Sequence, residues 1–162
     1  MELRKVIRAE ITLSEVDLND VVREIISKTT GTGAGALASF IGFVKGLVNG
    51  SKVIELEYIA YEPYASRRLL EIAEEESLDE DIAGIYLVHR VGRLKPGEPT
   101  IYVFVAAKGR EKAFRKAERI LERVKREVPI YKLEKRIDGD YWVIGDGLRI
   151  HRSKLTGSSQ DT

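Results

Sequence analysis

Apolar and polar side chains alternate over residues 5–12, which predicts a strand. The period then lengthens. Val16, Val21, Ile25 and Ile26 share a helical stripe, and Ser14 or Asp17 is placed to cap a helix running to about Lys28. Residues 36–44 read as a second strand, and Asn49-Gly50, a favoured hairpin pair, predicts a turn back into residues 53–61, giving two long antiparallel strands. Pro63 suits the first turn of a helix reaching about Ser77, whose apolar line is Ala65, Leu69, Ile72 and Ala73. Residues 82–91 and 100–107 are expected to pair through the Lys95-Pro96-Gly97 turn. Ala113, Phe114, Ala117, Leu121, Val124 and Val128 mark the buried stripe of a third helix, from about Arg110 to Glu127, which Pro129 stops. Residues 130–137 and 141–144 form a last hairpin around Asp138-Gly139. Strands outnumber helices and short turns join most of them, so the pattern predicts an α+β domain: a largely antiparallel sheet with packed helices. Residues 1–146 are expected to form this single domain, and the polar, Ser/Gly-rich residues 147–162 a mobile tail.

Composition narrows the chemistry. The 162 residues carry 27 Lys and Arg against 26 Asp and Glu, a formal net charge of +1, so there is no global attraction to nucleic acid or acidic membranes. No cysteine is present, which excludes a disulfide framework, a thiolate metal site and a cysteine nucleophile. Any sulfur handled here must arrive on a partner. Residues 1–10 lack the apolar run of a signal peptide and no stretch approaches the ~18 apolar residues of a membrane span, so a cytoplasmic protein is expected. Charged residues make up 33% of the chain while Asn, Gln and Met are nearly absent, a bias associated with heat-adapted proteins. Gly31-Thr-Gly-Ala-Gly35 has the look of a phosphate cradle, but it leads from a helix into a strand, the reverse of a dinucleotide fingerprint, and reads as a connection.

Candidate chemistry concentrates around the third helix. Lys125 stands four residues beyond Leu121 and continues one edge of the apolar row, where a lysine either snorkels or lines a cavity. Lys132 follows just after Pro129, close enough for a helix-turn-strand reversal to bring the amines together. Two ammonium groups at one pocket repel each other, and a bound anion relieves the repulsion, so the pair suits a phosphate ester. Two ordinary surface lysines are the plain alternative. Arg110, at the helix start, can add a bidentate anion contact, or simply be solvated. His89 and His151 are the only histidines and stand far apart, so neither a zinc site nor a Ser-His-Asp triad is supported; His89 reads as structural. Glutamates interleave with the basic residues of the third helix, which favours a salt-bridged face over an RNA-binding one.

Five motifs carry a family resemblance: Gly35-Ala-Leu-Ala-Ser-Phe-Ile-Gly42, Leu56-Glu-Tyr-Ile-Ala-Tyr-Glu-Pro63, His89-Arg-Val-Gly92, Pro129-Ile-Tyr-Lys-Leu-Glu134 and Gly139-Asp-Tyr-Trp142. In order and spacing, over roughly residues 5–145, the chain resembles the molybdopterin synthase catalytic subunit, the MoaE family. The resemblance implies an α/β-hammerhead-like fold that forms a homodimer. It implies one small ubiquitin-like, MoaD-like sulfur carrier bound per subunit, giving a heterotetramer. The carrier's C-terminal Gly-Gly thiocarboxylate would enter a pocket where cyclic pyranopterin monophosphate gains two sulfurs to become the molybdopterin dithiolene. Neither cofactor nor metal is implied. The family's functional lysines fall on Lys125 and Lys132, and the resemblance extends the substrate site to Phe43, Val44, Lys45, Gly109, Arg110, Leu133 and Glu134. Two departures stand out: Lys45 where the family commonly has arginine, and Gly109 where it commonly has histidine. They leave a second reading, a non-catalytic paralogue that binds a ubiquitin-like partner or a phosphorylated ligand. Phe40, Phe43 and Tyr131 are possible walls for a pterin ring, with core packing the alternative for each.

Overall fold

The computed structural model describes residues 4–145 and 147–155. Strand β1 (Val6–Thr12) leads into helix α1 (Leu18–Thr29), whose first turn is capped by the Asp17 side chain accepting from the Asp20 amide at 3.1 Å. A 3₁₀ turn at Thr30–Thr32 occupies the glycine-rich connection. Then come β2 (Ala36–Phe43), β3 (Leu47–Val48), β4 (Ser51–Ala60), α2 (Tyr64–Glu76), β5 (Ile82–Arg90), β6 (Gly92–Leu94), β7 (Pro99–Ala107) and α3 (Arg110–Glu127). The chain closes with β8 (Ile130–Arg136), β9 (Gly139–Ile144), β10 (Leu148–His151) and a short α4 (Arg152–Leu155). The architecture is α+β, as the periodicity predicts.

Among the described residues ten strands form two sheets. The first, ordered β1-β5-β7-β2, is antiparallel except where β1 lies parallel to β5. Its central strands are buried on both faces, so β7 feeds two cores in alternation. Val103, Val105 and Ala107 join the cluster under α2 and α3; Tyr102, Phe104 and Ala106 join the cluster under α1. The second sheet is ordered β10-β9-β8-β4-β3, with β6 also pairing β4.

The expected long pair of β2 with β4 does not form. Asn49-Gly50 does turn the chain, with both residues at positive φ (50° and 78°) as a type I′ turn requires, but it joins β4 only to the two-residue β3. The turn fixes the local reversal; the long partners are set by burial, with β2 pairing β7 and β4 pairing β8. Leu148–His151, which composition assigns to the tail, form a strand on β9. Residues 156–162 of that expected tail lie outside the described residues.

On α3 the buried stripe is Ala113, Ala117, Ile120, Leu121 and Val124. Phe114, expected in it, is 68% exposed, because the 100° step from Ala113 carries it past the edge of the stripe; Ile120 is fully buried instead. The flank of α3 beside this stripe bridges to α2. Buried Glu76 accepts from Arg119 Nε at 2.6 and 2.9 Å and has Lys116 and Arg123 within 3.5 Å. Glu127 is bonded by Arg123 and Arg68. The interleaved charges thus tie two helices together. Glu76→Ala strands several cations around an empty site and should lower the unfolding free energy by about 3 kcal/mol, the lower end for breaking a buried pair because Arg119 stays solvated. Urea denaturation measures it.

Candidate active site

The end of α3 is set by Pro129, which pushes Val128 to extended backbone (φ −92°, ψ 122°) and turns the chain straight into β8. This reversal places Lys125, in the last helical turn, and Lys132, on the strand, around one cavity of about 290 Å³ where both sheets meet the end of α3. Side chains alternate along β8, so Ile130, Lys132 and Glu134 face the cavity. Phe40, Gly42, Phe43, Val44 and Lys45 enter from the end of β2. There the ladder shifts between Gly42 and Phe43, and a Cβ on Gly42 would come within 2.8 Å of the Ile101 side chain. Only glycine lets β2 lie that close to β7 before it bends to the cavity.

Of the residues proposed from sequence, Phe43, Val44, Lys45, Lys125, Lys132 and Glu134 meet here. Phe40 and Phe43 are 39% and 66% exposed, so both line the cavity instead of filling the core. Three others lie elsewhere. Leu133 is buried on the opposite face of β8, paired between Glu57 and Trp142. Gly109 caps α3 at its other end beside Lys108, Lys112 and Asp79, and Arg110 begins the helix, exposed. Fifteen residues of helix at ~1.5 Å each put Arg110 roughly 22 Å along the axis from Lys125. Tyr131 is 54% exposed and points away from the cavity, so it neither lines it nor fills the core.

The floor is polar and buried. Lys132 Nζ lies 5.7 Å from the centroid of the Tyr58 ring, a cation–π contact across the β4–β8 pair. Tyr58 shares a hydrogen bond with Thr100, and burial raises its phenol pKa. His89 meets Tyr58 edge-on at 5.1 Å. Its Nδ1 is 2.7 Å from the Arg90 carbonyl oxygen, which can only accept, so Nδ1 carries the proton. Burial pushes the imidazole down to about 4, opposed by the Arg90 hydrogen bond and assisted by the charge of Lys132. His89 is therefore neutral and structural, yet it borders the cavity. Because the folded state resists protonation, the unfolded chain binds more protons between the two pKa values, and stability must fall as pH drops through that window. Wild type should lose about 2 kcal/mol from this group between pH 7 and 4.5, and His89→Asn, neutral throughout, should not. Denaturant titrations at several pH values read the difference. Asp79 and Glu127, each held at about 2 by lysine or arginine hydrogen bonds, lose their contributions mainly at lower pH.

Sequence reasoning missed Tyr58, Thr100 and Arg149 as cavity residues. Arg149 had a signal: Leu148-Arg-Ile-His alternates like a strand, although the surrounding composition reads as tail. The arrangement offers ammonium groups for an anion, one carboxylate, and partly apolar walls. Among the described residues no cluster of three or more His, Asp or Glu could hold a metal ion.

This chain is similar to known proteins in sequence and in fold. The family described as "MoaE protein" matches residues 11–127. The molybdopterin synthase catalytic subunit of Bacillus subtilis is 36% identical over 141 residues, covering 87% of this chain and 87% of that one. The crystal structure of molybdopterin synthase from Staphylococcus aureus superposes with a TM-score of 0.74 at 30% identity, covering 88% of this chain and 98% of that one. The complex of subunits 1 and 2 of the molybdopterin-converting factor from Helicobacter pylori shares the fold, with a TM-score of 0.66 at 19% identity over 93% and 97% of the two chains.

Proposed function

The chain belongs to the MoaE family, and from that premise we infer that it works as the large, catalytic subunit of a molybdopterin synthase. It is a sulfurtransferase of molybdenum cofactor biosynthesis: it moves two sulfurs from a thiocarboxylated ubiquitin-like carrier to cyclic pyranopterin monophosphate. The observation that carries the site assignment is the convergence of Lys125 and Lys132 on one cavity. One ammonium anchors the substrate phosphate; the other polarises the carrier's thiocarboxylate carbonyl, or supplies a proton, as sulfur is delivered. Each sulfur bonds to a side-chain carbon of the pterin, and an oxygen from water or the substrate then takes the acyl carbon as the acyl–sulfur bond breaks, so each carrier leaves as its carboxylate. Holding tail and pterin together converts a bimolecular encounter into a positioned one, which is most of what a cysteine-free subunit needs to do.

Lys45 supports the anionic end of the substrate as a point charge. Phe43 and Val44 supply its apolar side, and Glu134 supplies an acceptor. Leu133 contributes indirectly, by seating β8 from its far face. Gly109 and Arg110 are out of reach of the cavity in their own chain, so their proposed role in substrate binding is exercised toward a second copy in a homodimer. With one carrier per subunit the assembly is a heterotetramer. The catalytic unit proposed is residues 1–146, with β10 adding Arg149 to its cavity. No helix among the described residues is long and apolar enough to cross a membrane, and we place the reaction in the cytoplasm.

Tail insertion is tested with the carrier. A carrier lacking its two terminal glycines should yield no dithiolene, and a short peptide ending in Gly-Gly should inhibit the intact carrier competitively. A peptide without effect at concentrations far above the carrier's KM would remove tail insertion from the account.

A further inference from the structure

One carboxylate stands in a cavity otherwise suited to an anion. Glu134 is 4% exposed, faces the same cavity as Lys45, Lys125 and Lys132, and would repel a phosphate placed beside it. A buried acceptor there is sustained when donors meet it. Arg149 provides two: its Nε reaches Oε1 at 2.9 Å and its Nη2 reaches Oε2 at 3.2 Å, a fork on both carboxylate oxygens. The guanidinium is held in turn by Nη1 on the Gly147 carbonyl at 3.4 Å. Arg136 Nε is a further cation 3.7 Å from Oε1, outside hydrogen-bond range.

The sheet explains the placement. Tyr58, Lys132, Val143 and Arg149 stand opposite one another on β4, β8, β9 and β10, and all four line the cavity. From the end of that row Arg149 reaches diagonally over β9 to Glu134, two residues beyond Lys132 on β8. A carboxylate has about four lone-pair sites and the fork occupies one on each oxygen. The fork fixes the orientation of the carboxylate while taking only half of its acceptor sites.

We propose that Arg149 is a positioning residue: it fixes the Glu134 carboxylate as the cavity's acceptor for the adjacent N–H groups of the substrate's 2-amino-4-oxopyrimidine ring. This deepens the functional reading above and rests on it. The cavity then divides its labour, with ammonium groups for the phosphate end and one carboxylate for the donor edge of the pterin. The competing reading is that the pair only ties β10 to β8.

Two measurements separate these readings. Cyclic pyranopterin monophosphate is titrated into the purified protein without carrier, following pterin fluorescence, and KM and kcat are read in the full reaction. Glu134→Gln, which keeps the shape but turns one acceptor into a donor, should raise Kd and KM about tenfold or more with kcat within about threefold. Arg149→Ala should do the same, and Arg149→Lys should recover part of the loss. Because Arg149 acts through Glu134, the double variant Glu134→Gln/Arg149→Ala should bind no more weakly than Glu134→Gln alone. The double variant also removes both charges, so it keeps the test open should Arg149→Ala alone fail to fold. Unchanged Kd in folded Glu134→Gln overturns the inference, as do losses that multiply in the double variant, which would mean that Arg149 touches the substrate itself. Failure of wild type to make dithiolene would instead sink the sulfur-transfer reading, while the carrier-free titration still decides this one.

Discussion

Lys132→Ala should lower the rate of dithiolene formation by about two to three orders of magnitude, the usual consequence of removing one preorganised charge from a site where charge develops. Lys125→Ala should act in the same range. Neither change threatens the fold: Lys125 is exposed on the last turn of α3, and Lys132 is half-buried with its amine over the Tyr58 ring, a contact worth about 1 kcal/mol. The informative comparison is thus between activity and stability in the same variants, read by single-turnover product formation and by urea denaturation. Arginine at 132 keeps the charge but replaces a compact ammonium with a planar fork, so rescue should be partial. Normal turnover in both alanine variants would place the chemistry elsewhere.

The second large effect concerns the scaffold. Phe104 is 1% exposed on β7 and packs with Val21 and Ile25 of α1 on the face of the first sheet opposite α3. Phe104→Ala removes a fully buried ring from a site walled by secondary structure, which relaxes only partly, and should cost about 3–5 kcal/mol. Against a typical ~5–15 kcal/mol of total stability that is a large share, so the variant should melt far below wild type or fail to accumulate. The cavity lies on the other side of the molecule's packing, so any protein that does fold should keep near-normal KM. A loss below about 1 kcal/mol would mean that this second core is looser than its burial implies.

Much of this organisation is legible in the residues. Helix α3 is bounded as its apolar spacing and Pro129 dictate, and the same proline makes the reversal that joins Lys125 to Lys132. The continuous apolar runs of β5 and β7 announce strands covered on both faces. Strand partnership is less legible, because a turn such as Asn49-Gly50 fixes the direction of the chain but not which distant strand will bury an edge. Phe114 shows a related limit: one residue's phase on a helix separates 68% exposure from burial, and a periodic pattern tolerates that error. Arg149 was hidden for a compositional reason, since a four-residue strand amid polar residues carries little local signal and gains its meaning from pairing with β9. Gly109 and Arg110 stand at the end of α3 away from the cavity, a separation that motif order along the chain cannot express.

The most direct measurement is a sulfur balance on purified components: this chain, a thiocarboxylated Gly-Gly carrier and cyclic pyranopterin monophosphate. Two carrier thiocarboxylates should be consumed for each dithiolene formed, with no sulfur retained on a chain that has no cysteine. Carrier consumption without dithiolene, or dithiolene formed with no carrier present, would contradict it.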